Sequence, residues 1–247
     1  MDSNGFNYGV RARWRGRVET PAEIGERVLR TLDGLSPVNE VMKHWSLLDY
    51  CKMRGAPRAV ERDAVEALVA GGVVRDDLRR PEPESGYHLH AVNRLNLERP
   101  ADPRDLTLSI HAGSRWSNEV HFEAGHTMQP PDLSVVTCPI FKGALCAIVA
   151  NWPCAWATAY AFTSGYDKAS SAPGVAPIPY TQHHIPWMGY LPRPLAFDLS
   201  LPADIRVEPA PGGGVFMIAT ADRFDPYRPD HMTRARILSE VMADRAG

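Results

Sequence analysis

No two of the four cysteines (Cys51, Cys138, Cys146 and Cys154) stand in a CxxC pair, and they form no compact framework. That spacing excludes a paired-cysteine zinc site and a disulfide-stapled scaffold, and it leaves them as reduced, buried thiols. The opening MDSNGFNYGVRARW carries no apolar h-region, so the expected location is the cytoplasm. An excess of one charge is missing too. With 27 basic and 29 acidic residues the net charge is −2, too balanced for direct nucleic-acid binding through phosphate neutralisation. Beyond residue 80 the balance is mildly acidic, 13 basic against 17 acidic, which favours that part for an acidic partner-facing surface. One uncharged run, Gly143–Phe162, is about as long as a membrane span. Asn151-Trp152-Pro153 breaks it, so it reads as a buried helix followed by a strand and not as a membrane span.

Catalytic signatures are equally scarce. Ser109, Ser114 and Ser164 lack a GxSxG elbow, and Cys138 has no partner pattern. There is no HExxH, no clustered DxD and no phosphate loop. Gly212-Gly213-Gly214 precedes a strand where a phosphate cradle would precede a helix, so it is a hairpin turn. The reading is a protein without catalytic residues, without a resident metal and without a cofactor.

What is present is an ordinary globular composition, 44% hydrophobic and 23% charged, with 22 prolines scattered through turns. Tyr8–Trp14 alternates as a strand with one solvated face. Thr20-Pro21-Ala22-Glu23 starts a helix, and Ile24, Val28, Leu29, Leu32 and Leu35 form its apolar stripe. Trp45, Leu47 and Leu48 begin a connecting element of open type. A second helix spans Asp63–Ala70 and ends at Gly71-Gly72. Strands follow at Tyr87–Leu95, Leu106–His111 and Glu119–Glu123, then a helix from about Pro139 to Asn151 and a strand at Ala155–Thr163. After a long loop, Ser164–Ile185, come a short strand at Trp187–Leu191 and paired strands at Ile205–Glu208 and Val215–Thr220. A helix over Asp230–Ala243 closes the chain. The prediction is a single α+β domain over residues 1–247, with a largely antiparallel sheet and helices packed on one face.

Three candidate surfaces emerge. Alternation places His88 and His90 on one strand face, Thr107, Ser109 and His111 on another, and Glu119, His121 and Glu123 on a third. If the strands pair in order, these groups cover one polar sheet face. Such a face suits a protein partner or, in the rival reading, the metal of a hydrolase. The loop Ser164–Pro186 carries Tyr166 and Tyr180 and leads to Trp187 and Tyr190, aromatic types favoured as interface anchors. Asp222, Asp225 and Asp230 crowd the turn before the last helix, where carboxylates oppose the helix dipole. Asp225 is the one read first as a turn cap.

The opening YGVRARWRGRVETPAEIGERVLRTLDGL, the strand LTLSIHAGS, the segment WMGYLPR and above all the tract IATADRFDPYRPDHMTRARIL are similar to the immunity protein 52 family of bacterial polymorphic toxin systems. The resemblance implies a gene beside a toxin gene, the toxin being a restriction-endonuclease-like nuclease, often delivered by type VI secretion. It further implies neutralisation by stoichiometric binding. On that basis the expected partner-binding residues are Asp222, Asp225, Trp187, Tyr190 and Tyr180, and the oligomeric state stays open. A secretion-system adaptor is the remaining alternative.

Overall fold

The computed structural model describes residues 6–48, 58–59, 62–93, 102–125, 131–163, 184–193 and 201–246. Tyr180 and most of the loop before Trp187 lie outside them, as does Cys51. The described strands join one sheet of ten: β1 (Phe6–Arg15), β2 (Ser46–Leu48), β3 (Arg58–Ala59), β4 (Tyr87–Val92), β5 (Leu106–Ala112), β6 (Ser117–Ala124), β7 (Trp156–Thr163), β8 (His184–Leu191), β9 (Arg206–Pro209) and β10 (Val215–Ile218). Their order is β3-β2-β4-β5-β6-β1-β7-β8-β10-β9. Every pairing is antiparallel. The helices are α1 (Pro21–Leu35), α2 (Arg62–Gly71), α3 (Cys138–Asn151) and α4 (Pro229–Ala246). The fold is α+β, as the strand and helix patterns predict.

The first strand takes the middle of the sheet, between β6 and β7. Its alternation sets the two faces. Tyr8, Val10, Ala12 and Trp14 are buried on the helix side, in register with Phe122 and Val120 of β6 and with Ala161, Ala159 and Ala157 of β7. Arg11 and Arg13 point the other way. Helix α1 starts as its sequence dictates: Thr20 Oγ1 accepts from the Glu23 N–H, and Glu23 accepts from the Thr20 N–H at 2.8 Å. Its stripe packs with α2 and α3 over the helix side. Helix α3 is apolar nearly all round, as befits a helix between sheet and α1. No helix among the described residues is long and apolar enough to cross a membrane.

Helices α1, α2 and α3 share the expected face, but α4 lies on the other. Leu238 and Met242 of α4 join Leu191, Met217 and Ala219 in a second apolar cluster, with Trp156 against it. These residues alternate with Tyr190, Phe216 and Ile218, which belong to the main core. Gly189 makes the seat: a Cβ there would stand 3.0 Å from the Met242 sulfur.

An irregularity in β8 decides the fate of an aromatic residue. Ala159 pairs with Met188 but Tyr160 pairs with Pro186, so Trp187 is the extra residue of a β-bulge. The bulge turns its indole to the helix side beside Met188. There it is fully buried, 5.4 Å from the Phe141 ring and 6.4 Å from Tyr8. Removing the ring from this site, as in Trp187→Ala, is expected to cost about 3–5 kcal/mol in denaturant unfolding. Val207→Ala on the exposed edge strand is expected to stay within about 0.5 kcal/mol of the parent. A Trp187→Ala loss below about 1 kcal/mol would show that the bulge is not a packing device.

Candidate partner-binding surface

The turn between β10 and α4 is built from hydrogen bonds its sequence can supply. Trp187 Nε1 donates to the Thr220 carbonyl at 3.0 Å, and Tyr8 Oη donates to the Phe224 carbonyl at 3.0 Å. Phe224 is buried between Trp187 and the ring of His231, which stacks on it at 5.7 Å. Asp225 Oδ1 accepts from the Tyr227 N–H at 2.9 Å, and the Asp225 N–H donates to His231 Nδ1 at 3.0 Å. Asp225 is therefore a turn residue, held from both sides. Asp222 is different. Its side chain is 77% exposed, and its nearest cation is Arg228 at 3.9 Å. Arg228 is drawn more strongly to Asp230, at 2.8 Å. The three aspartates thus face an arginine in their midst, and the turn is less acidic than its sequence suggests.

The aromatic candidates fall elsewhere. Trp187 and Tyr190 are both core residues, Tyr190 packing on Phe216 at 5.7 Å. Neither ring reaches a partner without leaving the core, and what they do in this fold is anchor β8. Tyr180 lies outside the described residues. Sequence reasoning missed His231, whose only sign was a histidine two positions past Pro229 at a helix start. Because its Nδ1 accepts a hydrogen bond, the ring is neutral, and burial pushes its pKa down.

The polar sheet face assembles as the alternation foretold. One row across the strands runs His90, Ser109, His121, Arg11 and Thr158, and the next runs His88, His111, Glu119, Arg13 and Trp156. Glu119 is its electrostatic centre. His121 stands 3.5 Å from its carboxylate, Arg11 donates to it at 2.8 Å and Arg13 lies at 3.1 Å. The adjacent His121 and the hydrogen bond from Arg11 hold the Glu119 carboxyl well below the usual carboxylate range against the opposing cost of burial. For His121, burial alone lowers the pKa, but Glu119 and Glu123 outweigh it and the net direction is up. His88 and His111 stack with rings 4.4 Å apart. Burial first, then the neighbouring His111 and His90, push the His88 pKa down to about 4. His111 Nε2 donates to the Ser85 carbonyl at 2.9 Å, and His90 Nδ1 is bonded to Ser109 Oγ at 2.7 Å. Each imidazole has local duties. Among the described residues no three His, Cys, Asp or Glu side chains gather as a metal-binding group. Of the thiols, Cys154 is buried and its pKa is raised by burial to about 12; Cys138 and Cys146 are only partly buried, not fully as expected.

The model of the family described as immunity protein 52 matches residues 7–247, essentially the whole chain. The chain belongs to the immunity protein 52 family. Membership gives it an immunity role in general, and a toxin protein as partner. No curated relative matches the chain. In this immunity protein the tract that carries the resemblance, IATADRFDPYRPDHMTRARIL, is largely scaffold. It comprises the end of β10, the pinned turn and the first half of α4.

The polar face makes stability pH-dependent. His88 titrates near 6.5 when unfolded and near 4 when folded, so between those values the unfolded chain binds more protons. Its contribution is whole above pH 6.5 and is lost as pH falls toward 4. The lowered His231 acts in the same direction, since a protonated Nδ1 cannot accept from Asp225. The Glu119 contribution, whole above its ordinary 4.5, goes only below that value. His121 runs the opposite way: its contribution is whole below 6.5 and fades as pH rises through its raised folded value. Urea unfolding at about pH 7 and about pH 5 is expected to show lower stability at the acid value, and a smaller loss in His88→Gln. An equal loss in the variant would remove His88 as a cause.

Proposed function

We propose that this immunity protein neutralises a nuclease toxin in the cytoplasm of the producing cell, by binding it stoichiometrically and without chemistry of its own. The observation that carries this reading is the family match over residues 7–247. The resemblance of the opening and closing tracts adds a restriction-endonuclease-like toxin of a type VI or other contact-dependent system. Inhibition by binding must persist at low free toxin, so it needs high affinity; nuclease–immunity pairs reach roughly 10⁻¹⁴ M. Such affinity rests on a few desolvated anchors with charge complementarity around them.

A DNA-binding surface on the toxin is basic, and Asp222 is an exposed carboxylate suited to meet it. Asp225 contributes through the turn that presents Asp222. Trp187 and Tyr190 contribute by holding that turn and β8 in place. Co-expression with the toxin encoded by the adjacent gene is expected to restore growth. Purified protein is expected to abolish cleavage of DNA at an equimolar ratio. Cleavage that persists with excess immunity protein, or growth that is not restored, would overturn the reading. Asp222→Lys is expected to slow association several-fold at low salt while leaving unfolding unchanged. Asp225→Ala is expected to lower stability by about 1 kcal/mol, seen in denaturant titration. If Asp222→Lys leaves association unchanged, Asp222 lies outside the interface.

A further inference from the structure

The largest exposed apolar side chain among the described residues is Trp116, 65% exposed at the tip of the β5–β6 hairpin. Single surface hydrophobics need no explanation, but this one is held in place by buried polar residues. Asn118 and Ser114 are buried almost completely. The Asn118 side chain accepts from the Ser114 N–H at 2.8 Å and donates to the Ser114 and Arg15 carbonyls. Ser114 Oγ accepts from the Trp116 N–H at 3.1 Å. The strand-to-helix loop seals the other side. Arg17 N–H donates to the Ser114 carbonyl, and Gly16 lies so close that a Cβ would sit 1.8 Å from the Arg115 carbonyl oxygen. Over the indole, 4.3 Å from its centroid, lies the Arg115 guanidinium, itself bonded to Glu84 at 2.6 Å. Buried amide and hydroxyl groups are costly unless fully bonded. This fold places such a network under the backbone of an exposed tryptophan.

We infer that the Trp116 hairpin is an anchor for the toxin, filling an apolar pocket with an acidic rim on that protein. A tryptophan stacked with an arginine combines two residue types enriched among interface hot spots. Its rigid backbone means little ordering entropy remains to be lost on binding. Val18, 62% exposed, lies on the loop bonded to the hairpin. Arg17 is paired with Glu19 at 3.4 Å and Arg115 with Glu84 at 2.6 Å, while Arg15, exposed opposite Ser117, has no ion pair among the described residues. That unpaired guanidinium favours a carboxylate in the partner. This anchor faces an acidic part of the toxin, so it is distinct from the basic surface assigned to Asp222. It rests on the reading of this chain as a toxin binder.

The test is titration of wild type, Trp116→Ala and Arg115→Ala with the purified toxin of the adjacent gene, alongside melting curves and gel filtration. Trp116→Ala is expected to weaken binding roughly 30-fold or more with an unchanged melt, because the ring is outside the core. Arg115→Ala is expected to weaken it less, with reduced dependence on salt. Val207→Ala, at an exposed apolar residue of the edge strand β9, is expected to bind as wild type. Trp116→Ala binding within about twofold of wild type would overturn the anchor while leaving the toxin-binding function intact. A wild-type dimer that Trp116→Ala dissociates would overturn it in favour of a second copy of this chain. Wild type that binds no toxin would defeat the functional reading itself, and this inference with it.

Discussion

The bulge at Trp187 is the constraint on which both ends of the molecule depend. By regular alternation the indole would face α4; the extra residue turns it to the side of α3 instead. There it touches the central strand through Tyr8 and the C-terminal turn through Phe224 and the Thr220 carbonyl. The sheet's middle, its main helix layer and its last turn are thereby joined through one side chain. A buried indole satisfies this role well, because it fills volume on every side and its single N–H has a carbonyl to meet.

The sheet's second face is divided between two solutions to the same problem. Over β8 and β10 it is apolar and covered by α4. Over β4, β5, β6 and β1 it is a half-buried lattice of histidine, glutamate and arginine, in which Glu119 is stabilised as an anion by His121, Arg11 and Arg13. Ion pairs and hydrogen bonds occupy much of that lattice, while Arg11 Nε and His121 Nε2 stay buried within it without a hydrogen bond. In the proposed reading the immunity role falls to exposed groups on turns, Asp222 before α4 and Trp116 at the β5–β6 tip. The separation is physically sensible. Residues that hold a sheet together cannot vary with the partner, whereas residues on supported turns can.

Much of this was legible in the chain. Alternation located β1, β5 and β6, and it foretold the face shared by His88, His90, His111, Glu119, His121 and Glu123. Thr20 and Glu23 announced the start of α1, and Asp225 its part in a turn. Where reading failed, the cause was local irregularity or distance. Trp187 and Tyr190 looked like anchors because an aromatic after a proline-rich loop has the composition of a binding element, and burial is not written in composition. His231 gave no periodic signal, since its partner is a backbone N–H six residues back. Trp116 gives no signal in the sequence, because its exposure and the Asn118 bonds beneath its hairpin arise only in the fold.

By itself the sequence determined the helices, the strands other than β2 and β3, their apolar faces, and the family to which the chain belongs, because these follow from periodicity, capping and local motif. Only the tertiary structure decided which aromatics are core and which are surface, which carboxylates stay unneutralised, and which face α4 covers. Those outcomes depend on strand order, on one inserted residue in β8, and on side chains far apart in sequence meeting across the sheet. No local pattern encodes such meetings.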